Sequence, residues 1–218
     1  SEQEKEFYLR MSSKEKWSKS ELQRQINSSY YERVMLADAK LSPLSRELPQ
    51  DVSNTFKDTY VFELLHLPEE HQEKDLQKAI ARNITKFLLE FGRDFAFMGE
   101  EYPLQVGNQD FAIDLMFYNR SLNCMVAIEL KNERFKPEHL GQLNFYLEAL
   151  DKDIKKEHEN PSIGILLCKG KDDSVVEYAL NRSLSPTLVA DYKTKLPNKA
   201  LLQQKWEEVL RNLENEEE

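Results

Sequence analysis

The spacing of hydrophobic and polar positions changes period along the chain, and each change predicts an element. From Ser1 to about residue 36 the spacing is helical: Trp17, Leu22 and Ile26 recur at helix-compatible intervals, and Ser18 or Ser20 can cap a second helix. Residues 41–56 carry Pro43, Pro49 and scattered polar side chains, and read as a linker. Tyr60–Leu67 is a short apolar segment. His66 and His71, five apart and without companion ligands, read as part of a surface loop. Asp75–Phe91 has the stripe of an amphipathic helix, with Leu76, Ile80, Ile84, Phe87, Leu88 and Phe91 on the buried side and Gly92 to end it.

The period then shortens to two. Phe95–Val106 and Phe111–Tyr118 read as strands joined at Gly107–Asp110, and Cys124–Lys131 as a third. Pro137 opens a helix running through Leu150, since proline is tolerated in a first turn. Ser162–Cys168 is almost continuously apolar, which predicts a strand buried on both faces and parallel to a neighbour. A helix over Ser174–Leu180, a strand over Thr187–Tyr192 and a charged helix over Pro197–Leu213 complete the order α-β-β-β-α-β-α-β-α. That is an α/β fold with a mixed sheet flanked by helices.

The candidate chemistry lies in Phe111–Lys131, FAIDLMFYNRSLNCMVAIELK. Alternation puts Ile113, Leu115 and Phe117 on one strand face and Asp114 on the other. Val126, Ile128 and Leu130 share a face of the next strand, with Ala127, Glu129 and Lys131 opposite. A hairpin turning about Ser121–Leu122 sets Leu115 against Ile128 and Asp114 against Glu129. A slip of one residue would scramble both faces, so the hydrophobic pattern disfavours it. Two carboxylates facing each other repel by up to about 1 kcal/mol even when solvated. Lys131 supplies one positive charge, which leaves a net negative site suited to a divalent metal.

Asp114, fourteen intervening residues and Glu129-Leu130-Lys131 resemble the D…(D/E)-X-K core of the PD-(D/E)XK nuclease superfamily. Gln142 through Tyr146, beginning eleven residues beyond Lys131, is similar to the Q-x-x-x-Y element of its RecB-like branch. The phrases FLLEFGRDFAF (Phe87–Phe97), IDLMFY (Ile113–Tyr118), VAIELK (Val126–Lys131), FKPEHLGQ (Phe135–Gln142) and ENPSIGILLC (Glu159–Cys168) resemble the bacterial YhcG-type proteins of that superfamily. The likeness covers roughly residues 60 to 210.

The resemblance implies a restriction-endonuclease-like core that hydrolyses phosphodiesters of a nucleic acid, expected to be DNA, with Mg2+ or Mn2+ as cofactor. It implies Asp114, Glu129 and the main-chain carbonyl of Leu130 as metal ligands, Lys131 beside the attacking water, and Gln142 and Tyr146 in support. Family members often draw a glutamate from the first helix, and Glu90, the only carboxylate within that helix body, is the candidate. Residues 1–56 resemble the tail of an amino-terminal domain, so the chain is expected to be a fragment, with the nuclease-like domain at 57–218.

A net charge of −9 runs against nucleic-acid binding by bulk electrostatics. Much of the excess lies at Glu214–Glu218, and a bound ion offsets acidic residues at a metal site. The same charge keeps an alternative open: a catalytically weak or inactive nucleic-acid-binding or assembly subunit with this fold. Basic residues of the first helices are interleaved with acids, which favours a solvated helical face over a DNA-contacting arm. Lys169-Gly170-Lys171-Asp172-Asp173 lacks the spacing of a phosphate-binding loop and reads as a solvated strand-end loop.

Cys124 and Cys168 lie in apolar runs without metal-ligand spacing, so buried thiols in a reducing cytoplasm are expected. No run approaches the roughly 20 apolar residues of a membrane span. Self-association as a homo-oligomer is compatible with the sequence.

Overall fold

A computed structural model describes residues 1–37, 42–43, 55–183 and 185–216. Most of the expected linker, 41–56, lies outside the described residues. By contacts the chain forms two units. One joins Ser1–Asp38 to Lys195–Glu218; the other is Ala39–Thr194. This division differs from a boundary after residue 56, because the last helix groups with the first three.

In the first unit, α1 (Glu2–Glu15) and α2 (Lys19–Asn27) each begin with a capping box, Ser1 with Glu4 and Ser18 with Glu21. With α3 (Tyr30–Met35) they enclose Phe7, Tyr8, Tyr30 and Tyr31, against which Trp17, Leu22, Ile26 and Trp206 pack. Trp206 belongs to α8 (Lys199–Glu216).

The second unit is a six-stranded mixed sheet. Its strands are β1 (Thr59–Val61), β2 (Phe95–Val106), β3 (Gln109–Asn119), β4 (Cys124–Arg134), β5 (Ile163–Gly170) and β6 (Thr187–Lys193), in the spatial order β1-β6-β5-β4-β3-β2. β2, β3 and β4 are antiparallel; β4, β5, β6 and β1 are parallel. The β3–β4 register is the expected one, from Leu115↔Ile128 to Asn119↔Cys124. The β2–β3 turn is tighter than expected, since Val106 already pairs with Gln109 and Gly107 supplies the left-handed φ of 60°. The edge strand β1 has no counterpart in the sequence reading.

Helices cover both faces. α4 (Glu73–Arg82) and α5 (Ile84–Phe91) bury Leu76, Ile80, Phe87 and Phe91 on Leu115, Phe117, Val126, Ile128 and Leu130. α6 (His139–Ala149), extended by a π-helical turn over Leu150–Ile154, and α7 (Asp173–Leu180) bury Leu143, Leu147 and Val176 on Met116, Ala127 and Leu166. β5 is buried on both faces from Ile163 to Cys168, as its apolar run predicts. A side chain at Gly164 would put its Cβ 2.9 Å from Leu143 and Leu147, so α6 rests directly on the β5 backbone.

Several expectations are corrected. The helix read as Asp75–Phe91 begins two residues earlier and breaks at Asn83, whose side-chain amide donates to the Ala79 carbonyl (3.0 Å). Ile113 packs with Met116 under α6 and not with Leu115. His71 is buried, its Nε2 2.8 Å from Tyr192 Oη. The Lys171 side chain is not solvated: it is 6% exposed and paired with Asp58 and Asp173. Both cysteines are buried and unpaired. Among the described residues no helix is long and apolar enough to cross a membrane.

Candidate active site

β3 and β4 separate at Asp114. Their ladder stops at Leu115↔Ile128, and β2 pairs with Ile113 and Leu115 but not with the residue between them, so Asp114 has no registered partner in either ladder. Side chains bond the backbone at this point. The Asp114 N–H donates to Glu129 Oε1 (3.4 Å), the Leu130 N–H donates to Asp114 Oδ2 (2.8 Å), and Gln77 Nε2 on α4 donates to the Asp114 carbonyl (3.1 Å). Each acid therefore accepts a hydrogen bond from the backbone of the opposite strand, which holds the two carboxylates close where the ladder opens.

Glu129 is 2% exposed and Asp114 partly buried. Burial is the main cause that pushes the Glu129 carboxyl up to about 8; the Asp114 charge adds to it and Lys131 opposes it. Burial also raises Asp114, against the Leu130 N–H and Lys131. The Lys131 ammonium lies 3.9 Å from Glu129 Oε2 and 3.6 Å from Glu73 Oε2 at the start of α4. Glu73 Oε1 also accepts the Asn132 N–H (3.3 Å). On α6, Gln142 Nε2 donates to Tyr146 Oη (2.7 Å). Burial raises the Tyr146 phenol; Gln142 opposes the rise, and the charges of Glu129 and Asp114 add to it.

This donor set fits a hard divalent ion. A buried and a partly buried carboxylate that resist ionising together are relieved by a cation, and Asp114 Oδ1 has no protein hydrogen bond among the described residues. Those residues include no group of three or more His, Cys, Asp or Glu side chains arranged to hold a metal. An ion here would need backbone oxygen, water or substrate oxygen to complete its shell, the habit of Mg2+.

A family model described as the YhcG PDDEXK nuclease domain matches residues 53–207. The chain belongs to this family. It is 33% identical over 200 residues to "Putative nuclease YhcG" of Escherichia coli (strain K12), an alignment covering 90% of this chain and 53% of that protein. The chain thus spans about half the length of the curated relative it matches. Among solved structures it is similar to a repair endonuclease from Pyrococcus abyssi, at 18% identity over 59% of this chain and 49% of that one, with a TM-score of 0.38. It is similar also to the EndoMS-dsDNA2 complex, at 18% identity over 61% of this chain and 47% of that one, TM-score 0.38.

Within this YhcG-family domain, Asp114, Glu129, Leu130 and Lys131 come together; Gln142 and Tyr146 pair on α6, and Tyr146 packs in one cluster with Ala127 of β4. Glu90 does not join them. It is 1% exposed, its Oε1 pairs with Lys57 Nζ (3.2 Å) and accepts the Val61 N–H (3.1 Å), and it anchors the edge strand β1. The α4–α5 side reaches the acids through Glu73 and Gln77 instead. A helix starting at Asp75 leaves Glu73 outside it, whereas α4 begins at Glu73. The signal for an earlier start lay in the Gln72–Asp75 spacing, since the Gln72 N–H donates to Asp75 Oδ2 (3.0 Å) across the first turn.

Proposed function

We propose that this domain is a divalent-metal-dependent nuclease that hydrolyses phosphodiester bonds of DNA. The observation that carries the reading is the Asp114–Glu129 interlock with the Lys131 ammonium 3.9 Å from Glu129. Asp114 and Glu129 would hold Mg2+ or Mn2+, with the Leu130 carbonyl as a further ligand. Such an ion, when bound, polarises a phosphoryl oxygen and lowers the pKa of its water.

The remaining work falls to the chain's own groups. Lys131 has donors only; it orients the attacking water and offsets charge developing on the phosphate. Glu73 shares the Lys131 ammonium with Glu129, so the amine is not drawn wholly onto a metal ligand. Tyr146 accepts from Gln142, which turns its own O–H toward water or a phosphate oxygen beside the acids. DNA is proposed as substrate on the family resemblance. A second reading, a non-cleaving nucleic-acid-binding or assembly subunit, is favoured by one observation, the net charge of −9.

Incubation with single-stranded, duplex and branched DNA and with RNA, with and without Mg2+, separates the two. Cleavage of DNA that requires Mg2+ and falls roughly 10²–10³-fold in Asp114→Ala and in Lys131→Ala is expected. Binding without cleavage, unaltered by either substitution, would refute the nuclease reading and favour the second. Cleavage confined to RNA would overturn the substrate.

A further inference from the structure

We propose that Gln77 is a positioning residue for the Asp114 carboxylate. Asp114 has no registered partner on either neighbouring strand, and its carbonyl accepts the Gln77 amide (3.1 Å). Gln77 is itself 6% exposed and projects from α4, whose Leu76 and Ile80 are fully buried in the core. The amide is therefore carried on a rigid element. An aspartate has only two side-chain torsions between its backbone and its carboxylate, so the direction of the carboxylate follows the direction of its peptide. Released from Gln77, Asp114 would rely on the 3.4 Å bond from its own N–H to Glu129, a group that must also face the ion, and on the Leu130 N–H bonded to its carboxylate. Orienting partners behind metal ligands commonly carry 10–100-fold in metal affinity. Glu73, one turn earlier on the same helix, holds Lys131, so α4 aligns both halves of the site from one side.

The proposal rests on the metal-dependent reading only for the second of two measurements. The substitutions, made in the full chain, are Gln77→Met, which keeps volume and loses the donor, and Gln77→Glu, which loses the donor and adds an acid. First, amide hydrogen exchange of metal-free protein is followed at Leu115 and Leu130. Gln77→Met is expected to speed exchange there about tenfold while β5 and β6 stay protected. Second, Mn2+ affinity is measured by calorimetry, and Gln77→Met is expected to weaken it at least tenfold.

If wild type takes up no Mn2+ but local exchange accelerates, the metal reading fails and the positioning role stands. Unchanged local exchange in a folded Gln77→Met protein would overturn the proposal. Should Gln77→Met fail to fold, Gln77→Glu carries the test. Weaker Mn2+ binding supports positioning; binding equal to or tighter than wild type overturns it, since a direct ligand or a bystander would behave that way.

Discussion

Replacing Glu129 by glutamine should stabilise the metal-free protein, and by more as pH rises. The Glu129 carboxyl is raised from 4.5 to about 8, chiefly by burial. Between those values the folded protein holds a proton that the unfolded chain releases. Stability therefore falls as pH rises through the window, is unaffected by this group below about 4.5, and is lowest above about 8. A gap of that size sets a ceiling of roughly 5 kcal/mol, at about 1.4 kcal/mol for each unit. Relaxation and water penetration reduce such costs in real interiors, so ~2 kcal/mol is the expected penalty.

Glutamine keeps an oxygen to accept the Asp114 N–H and carries no charge to desolvate. For a chain of this size ~2 kcal/mol corresponds to a Tm gain of about 4–8 °C. Calorimetric melts in EDTA from about pH 5 to about pH 9 should show the variant and wild type converging at the acid end and separating at the alkaline end. Saturating Mn2+ should reverse the order, because a ligand at a hundredfold excess over its Kd contributes about 2.7 kcal/mol to the protein that binds it. A Tm difference that does not grow with pH would refute the reasoning, as would a wild type that is the more stable at pH 9 without metal.

Gly164→Ala should cost about 1–3 kcal/mol in urea denaturation, since the added methyl would lie 2.9 Å from Leu143 and Leu147; an unchanged midpoint would mean that α6 yields freely. Glu90→Ala should destabilise by about 3 kcal/mol through loss of the Lys57 ion pair and of the carboxylate that accepts the Val61 N–H, yet leave Mn2+ affinity alone; loss of metal binding in a folded variant would return Glu90 to the site. Tyr146→Phe should shift stability by only about 1 kcal/mol while lowering the cleavage rate, and equal rates would remove its hydroxyl from the chemistry.

The hairpin was legible because a two-residue period allows only one register that buries Leu115 and Ile128 together, and β3 pairs with β4 in that register. The same rule misplaced Ile113. Alternation assumes an unbroken ladder, and at Asp114 the register is interrupted, where the Gln77 amide, the Glu129 carboxylate and the Leu130 N–H bond it, and Ile113 before it packs in the cluster under α6. Glu73 escaped notice because the first turn of α4 precedes its first buried residue, Leu76, and carries no hydrophobic period. The break at Asn83 depends on one side-chain bond, and β1 is three residues whose strand character comes from pairing with β6. His71 looked like loop because its partner, Tyr192, lies 121 positions away.

Both thiols of the chain lie in the central sheet, fully covered, and burial pushes each up to about 12. Neither can form the reactive thiolate at neutral pH. Alkylating reagents should thus find them only when the sheet opens, so the pace of labelling times the rare excursions of β4 and β5 in otherwise intact protein. The molecule carries its own gauge of opening in the two strands on which Glu129 and Lys131 depend, with no added probe.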